Sequence, residues 1–418
     1  MRILYVILDG VGDRKTPEYS DSTPLETALT PNLDRLTSRG RMGILYTVSQ
    51  GIAPESDAGV FSLLSYDPSR LDLSRGVVEA LGSGVQFTEG DLALRCNFAT
   101  VEKGQITDRR AGRNVSADEA IELVKAINDD EKLSKLNKFE LKATIGHRCS
   151  LVLHASKMRF SGQISNLDPA YSRKGRVTIA LTGVKLPTPI PKCAPLNRSK
   201  TAIRTAKLVN RFAERVHEVL KDHPVNRRRK ERGDIPANFL LMRDAGTKFP
   251  HVRTLKQKFG WKSIALADMP VELGIAKVIG MNTEVFQPER TLEGYARRAE
   301  KACELLQQYD LVYVHLKGPD EPGHDGDFMG KKKSIDDIDA GFFGGIRDIE
   351  SCLICVTADH STPCVAAGHT DDPVPLLISG DKIQPDGSKR FTESYAKTGK
   401  LGTINHGFEV LKLIKSMM

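Results

Sequence analysis

Four groups of acids and histidines stand at or beside apolar runs that read as strands. Asp9 ends the run from Arg2, Asp320 and His324 follow Leu311 to Leu316, Asp359-His360 follows Leu353 to Thr357, and His369 precedes Val374 to Ser379. Three carboxylates and three imidazoles offer hard oxygen and borderline nitrogen donors. They suffice for two divalent ions, which together can clamp a phosphoryl group and neutralise its charge. Each group alone has a bland explanation: Asp-Gly at a strand end is usually a turn, and Asp-x-x-x-His is a weak signal. Their recurrence at successive strand ends argues against chance. Open α/β sheets bind ligands beyond the carboxyl ends of their strands, so residues as far apart as Asp9 and Asp359 can converge.

Ser56 lies in Pro54-Glu55-Ser56-Asp57-Ala58-Gly59, ahead of the helical pattern Val60 to Leu64. The ordinary role for a serine there is an N-cap. The alternative is a nucleophile on a tight turn, its hydroxyl acidified by a metal, with helix N–H groups favouring a phosphate. Spacing leaves both open.

The elements that must position these residues follow an order. A short strand, then a helix opened by Thr30-Pro31 and closed at Gly40, argues for a parallel sheet covered by helices. From about residue 76 the texture changes, with strand candidates at Ser150 to His154 and Arg176 to Leu181, a proline-rich stretch from Pro187 to Pro195, and a basic helix from Lys200 to Leu220. Strand and helix alternation returns near Lys262: a strand at Ser263 to Ala267, helices to Ile279, over Thr291 to Tyr309 and around Ser334 to Ile349, and a terminal helix from Thr403. The expected fold is α/β, with one domain built from both ends of the chain (1–75 and 246–418) and a second inserted between them (76–245).

A chain of 418 residues with 40% hydrophobic content supports two cores and excludes disorder. No apolar run reaches the roughly 20 residues of a membrane helix, and no basic-then-apolar leader precedes the first strand. Seven scattered cysteines fit reduced thiols. Together these predict a cytoplasmic protein without a membrane partner. Cys352-x-x-Cys355 sits in an apolar run and reads as core. The net charge of +8 is local, since 12 Lys and Arg against 4 acids fall between Arg198 and Arg232. Ile203, Leu208, Phe212, Val216 and Leu220 describe an amphipathic helix with a solvated basic face. Aromatic stacking residues are scarce there, which argues against a nucleic-acid partner.

Together the motifs resemble the archaeal type of cofactor-independent phosphoglycerate mutase, in the alkaline-phosphatase superfamily. Those that carry the resemblance are Ile7-Leu8-Asp9-Gly10-Val11-Gly12-Asp13-Arg14, Thr23-Pro24-Leu25-Glu26, Ser56-Asp57, Glu79-Ala80-Leu81-Gly82 and Asn97-Phe98-Ala99-Thr100. To these are added Thr107-Asp108-Arg109-Arg110-Ala111-Gly112-Arg113, Gly146-His147-Arg148, Thr357-Ala358-Asp359-His360-Ser361-Thr362-Pro363-Cys364, and His369 with Asp372-Pro373-Val374-Pro375. The resemblance implies an alkaline-phosphatase-like sheet covered by helices, with an inserted α+β transferase domain. It implies one metal on Asp9, Ser56, Asp359 and His360, and another on Asp320, His324 and His369. The ions would be Mn first, with Zn, Co or Mg as alternatives, and 2,3-bisphosphoglycerate would not be needed. Ser56 would carry the phosphoryl group between 3- and 2-phosphoglycerate. Asp108 would act as general acid/base, and Arg110, Arg113, Arg148 and Arg243 would grip carboxylate and phosphate.

Two departures stand out. Val60 occupies the place of a histidine often seen after the serine, and Met269 to Leu273 lacks a lysine expected before Gly274. The absence implies either a weakened mutase or another base, such as Lys262 or Lys277, in its place. The missing lysine also motivates an alternative: a related metal-dependent phosphomonoesterase, or a phosphotransferase with another acceptor such as homoserine.

Overall fold

A computed structural model describes residues 2–71, 74–156, 159–174, 177–181, 184–347 and 349–418, with the side chains of 173, 174 and 177–180 left aside. The chain forms two compact units: Met1–Leu71, Val252–Asp268 and Ile275–Met418 make the first, and Asp72–His251 with Met269–Gly274 the second.

The first unit is built on eight strands: β1 (Arg2–Leu8), β2 (Gly40–Leu45), β3 (Ser263–Ala267), β4 (Asn282–Val285), β5 (Leu311–Leu316), β6 (Cys352–Thr357), β7 (Val374–Ser379) and β8 (Gly402–Ile404). Their order across the sheet is β4-β3-β5-β1-β6-β7-β2-β8. β1 lies between β5 and β6, parallel to both. β7 runs antiparallel to β6 and β2. β1, β5 and β6 are buried almost throughout, as strands covered on both faces must be. Their shared carboxyl edge gathers Asp9, Asp320 and Asp359 from three adjacent strands. Cys352 and Cys355 are free thiols buried in β6, as their apolar run predicts.

The second unit carries a six-stranded sheet in which Leu92–Glu102 pairs antiparallel with Arg148–Leu153, Gln105–Asp108 and Phe239–Gly246. The helix Lys200–Leu220 buries Phe212, Val216 and Leu220 in this unit's core as its spacing predicts, but Ile203 is exposed and Leu208 only partly buried, their places on the buried face taken by Ala202, Ala206 and Val209. Much of the local basicity is paired: Arg215 with Asp130, Arg228 with Glu122, and Arg229 and Arg232 with Glu119. Of the strand expected over Arg176 to Leu181, Arg176 lies outside the described residues, while Val177–Ala180 pairs with Tyr171–Lys174. The mixed α/β fold is the one expected from the sequence.

Several local expectations are corrected. The helix predicted around Ser334 to Ile349 starts earlier, at Phe328, because Asp327 accepts a hydrogen bond from Gly330 N and caps it. It ends at Ile338 in a π-turn over Asp339–Phe343. The terminal helix begins at Val410 rather than Thr403, since Gly402–Ile404 pairs with β2 as a strand. Thr30 holds the N-cap position as expected, but its hydroxyl makes no cap hydrogen bond and donates instead to Asp34 Oδ1 at 3.1 Å. Among the described residues, no helix is long and apolar enough to cross a membrane.

Candidate active site

Ser56 is the first residue of the helix Ser56–Leu63, and the N-cap position belongs to Glu55. The serine hydroxyl is therefore not used as a cap. Its Oγ lies 3.3 Å from Nε2 of His360. The helix reaches this position because residue 59 is glycine: a Cβ there would stand 2.4 Å from the carbonyl oxygen of Asp359. Gly10 meets a similar limit, with φ +62° and a would-be Cβ 2.8 Å from both Asp320 Oδ1 and Thr362 Oγ1.

The donor atoms form two groups, the first beside Ser56 through His360. In the first, His360 Nε2 is 3.4 Å from Asp9 Oδ1 and 3.4 Å from Asp359 Oδ2. The second is a near-equilateral triangle. Asp320 Oδ1 is 3.5 Å from His324 Nε2 and 3.5 Å from His369 Nε2, and the two nitrogens are 3.2 Å apart. Ligands about 2.1 Å from a tetrahedral ion stand roughly 3.4 Å from one another, so both groups have the spacing of a coordination shell.

The outward-facing atoms fix the tautomers. His369 Nδ1 donates to Pro54 O at 2.9 Å, and His324 Nδ1 to Ala367 O at 3.4 Å. Each Nε2 then presents a lone pair inward, an arrangement that a cation between them relieves. His360 Nδ1 donates to Thr362 Oγ1 at 3.0 Å, and that hydroxyl donates to Asp320 Oδ1 at 2.7 Å. Thr362 thus joins a donor of the first group to a donor of the second. Its loop is pinned by buried Lys331, whose ammonium bonds Asp13 Oδ2, Gly12 O and Thr362 O.

The charges fit a cation as well. Asp9 Oδ1 and Asp359 Oδ2 are buried and accept no well-formed hydrogen bond among the described residues. Burial, then the charge of Asp9, pushes the Asp359 carboxyl up to about 8. Burial alone would raise Asp9 too, but Lys317 and the two imidazoles His315 and His360 hold it well below the usual range. A dication between two such carboxylates favours both as anions.

Two residues at this edge were not singled out from the sequence. His315 Nε2 is 3.7 Å from Asp9 Oδ1 and 3.8 Å from Asp359 Oδ2, and Lys317 Nζ is 3.0 Å from Asp9 Oδ2. The signal was present: a histidine inside the apolar run of β5 and a lysine two residues on, both on the face that leads to Asp320. Lys317 is the lysine at the cluster. Lys262, offered as a substitute, precedes β3 at the opposite edge of the sheet and lies over the Tyr309 ring, and Lys277 is exposed.

The expected arginines lie in the second unit. Arg243 is buried, 3.2 Å from Asp168 and over the Tyr171 ring; Arg109 is bidentate to the same Asp168. Arg110 and Arg148 are half-buried and Arg113 exposed. All four expected arginines act on His147 through their charge. After burial, the charges of Arg148, Arg110, Arg243 and Arg113 hold its imidazole down to about 3. Such a cluster suits an anion. Asp108 Oδ1 accepts from the N–H groups of Arg110 and Gly112, which gives that carboxylate a turn-forming role.

A family model described as 2,3-bisphosphoglycerate-independent phosphoglycerate mutase matches residues 37–226. A protein of that name from Aeropyrum pernix is 41% identical over 430 residues, covering 100% of both chains. Another from Methanopyrus kandleri is 37% identical, covering 100% of this chain and 96% of its own. Among solved structures, the cofactor-independent phosphoglycerate mutase from Thermoplasma acidophilum superposes with TM-score 0.64 at 31% identity, covering 100% of each chain. A Pyrococcus horikoshii protein gives TM-score 0.79 at 28% identity, covering 100% of this chain and 97% of its own.

Proposed function

The chain belongs to the 2,3-bisphosphoglycerate-independent phosphoglycerate mutase family, and we propose that it interconverts 3- and 2-phosphoglycerate through a phosphoserine on Ser56 beside two divalent ions. The observation that carries this reading is a pair of donor groups linked through Thr362, the first of which meets the free-standing Ser56 hydroxyl at His360 Nε2. Asp9, Ser56, Asp359 and His360 would hold one ion, and Asp320, His324 and His369 the other. Mn is the first expectation for both. When bound, the ions supply positive charge for the phosphoryl oxygens and lower the pKa of the serine hydroxyl.

The chain's own residues do the rest. Ser56 Oγ gives up its proton and forms the bond to phosphorus as the bond from phosphorus to the 3-oxygen of glycerate breaks, and that oxygen takes up a proton. The glycerate turns, its 2-hydroxyl loses a proton and attacks, and the serine–phosphorus bond breaks. Such transfer depends on positioning and charge neutralisation more than on covalent machinery. We assign recognition of carboxylate and phosphate to Arg110, Arg113, Arg148 and Arg243, in the unit built on Asp72–His251. The general acid/base role of Asp108 rests on the family resemblance alone.

The test is direct. Purified protein with added Mn²⁺ should interconvert the two phosphoglycerates without 2,3-bisphosphoglycerate, and chelation should abolish the activity. The lysine missing before Gly274 keeps one rival reading in view, a phosphomonoesterase or a transferase to another acceptor. Release of inorganic phosphate faster than isomerisation would favour that rival.

A further inference from the structure

We infer that His315 is a ligand of the first metal, making that shell two imidazole nitrogens, two carboxylate oxygens and the serine oxygen. The inference rests on the two-metal reading and adds a residue to it.

In β5 alternate side chains share a face, so Tyr313, His315 and Lys317 form one stripe that runs toward Asp320 at the carboxyl edge. All three are buried. β5 pairs with β1 in register, Ile7 opposite His315, which brings the end of the stripe beside Asp9.

The distances then select the role of each member. His315 Nε2 stands 3.7 Å from Asp9 Oδ1 and 3.8 Å from Asp359 Oδ2. His360 Nε2 stands 3.4 Å from the same two oxygens. Two imidazoles thus address one pair of carboxylate oxygens at the separations expected of donors sharing an ion. The partners of these atoms point the same way. Tyr313 Oη lies 2.7 Å from His315 Nδ1, so in the tautomer with Nδ1–H donating to the phenol, Nε2 carries the lone pair. Asp359 Oδ1 accepts from Gly10 N–H, leaving Oδ2 to face the rings. Lys317 Nζ binds Asp9 Oδ2, leaving Oδ1 to face them. Each carboxylate is thereby set to give one oxygen.

The composition has a consequence for the choice of metal. Two nitrogens among five donors suit Mn, Co or Zn better than Mg, which favours an all-oxygen shell. Without His315 the shell would carry one nitrogen, and the preference would narrow.

The experiment compares wild type, His315→Gln and Tyr313→Phe by equilibrium dialysis with Co²⁺ and Mn²⁺, with Mg²⁺ as competitor. Visible spectra of the Co²⁺ forms, and melting temperatures with and without metal, complete the comparison. Wild type should bind two ions. His315→Gln should keep one at wild-type affinity and bind the other at least 10–100-fold more weakly. It should also change the Co²⁺ spectrum, lose part of the metal-induced rise in melting temperature, and discriminate less against Mg²⁺. Tyr313→Phe should shift affinity in the same direction by less, and it serves as the test if His315→Gln does not fold. Two ions bound at wild-type affinity in His315→Gln, or in Tyr313→Phe where only that variant folds, would overturn the inference and leave the two-metal reading intact. Fewer than two ions in wild type would instead overturn the two-metal reading.

Discussion

Ser56 Oγ lies 3.3 Å from Nε2 of His360, and the helix that begins at Ser56 takes its N-cap from Glu55. The serine is held at a helix N-terminus without being spent on the helix. His360 in turn commits Nδ1 to Thr362, and its ring stacks on His369 with centroids 3.7 Å apart. One imidazole therefore touches the nucleophile candidate on one edge and is tied to the second donor group on the other.

That arrangement makes Thr362 the residue to remove. Thr362→Val keeps the shape but deletes the hydroxyl between His360 Nδ1–H and Asp320 Oδ1. Loss of such an outer partner costs roughly 10–100-fold in metal affinity or activity. Thr362→Ser should recover most of it. Metal titration of both variants checks this, and equal losses in the two would refute a role for the hydroxyl.

Asp168 should be needed for the arginine cluster to stay folded. It is fully buried and pairs with both Arg109 and Arg243. Asp168→Asn leaves two guanidinium groups short of a counter-charge, a change that costs about 3–5 kcal/mol when a buried pair is broken. Denaturant unfolding should show that loss, and an unchanged midpoint would contradict it.

His147 should report on the same cluster through pH. Its imidazole is held down to about 3 in the folded chain, by burial first and then by four arginines, against an ordinary 6.5. Below pH 6.5 the unfolded chain takes up a proton that the folded chain refuses until about pH 3. Stability should therefore fall as pH drops through that window, by up to about 1.4 kcal/mol per pH unit from this group. His147→Asn should flatten the slope. Bound phosphoglycerate, by neutralising the arginines, should move the histidine pKa upward, which NMR titration of the ring can follow.

The legibility of the sequence varied with the kind of signal. Strands β1, β3, β5, β6 and β7 were readable because strands buried on both faces are short, continuous apolar runs, and the acids that follow β1, β5 and β6 marked the carboxyl edge. Ser56 was ambiguous, since a serine before a helix looks the same whether or not it caps. Only the backbone at Glu55 separates the two cases. His315 and Lys317 were overlooked because each passes for an ordinary residue until the pairing of β5 with β1 places both beside Asp9. The helix boundaries at Asp327 and Val410 were missed because they depend on a cap and on a strand pairing across the sheet. The arginine motifs were recognisable, but which of them lies buried against Asp168 was a matter of tertiary packing.

Intact mass shows whether Ser56 carries the phosphoryl group. Metal-loaded protein incubated with 3-phosphoglycerate and quenched in acid should show an added phosphate in wild type and none in Ser56→Ala. A wild-type chain that never gains the phosphate, or an adduct that persists in Ser56→Ala, would contradict the account.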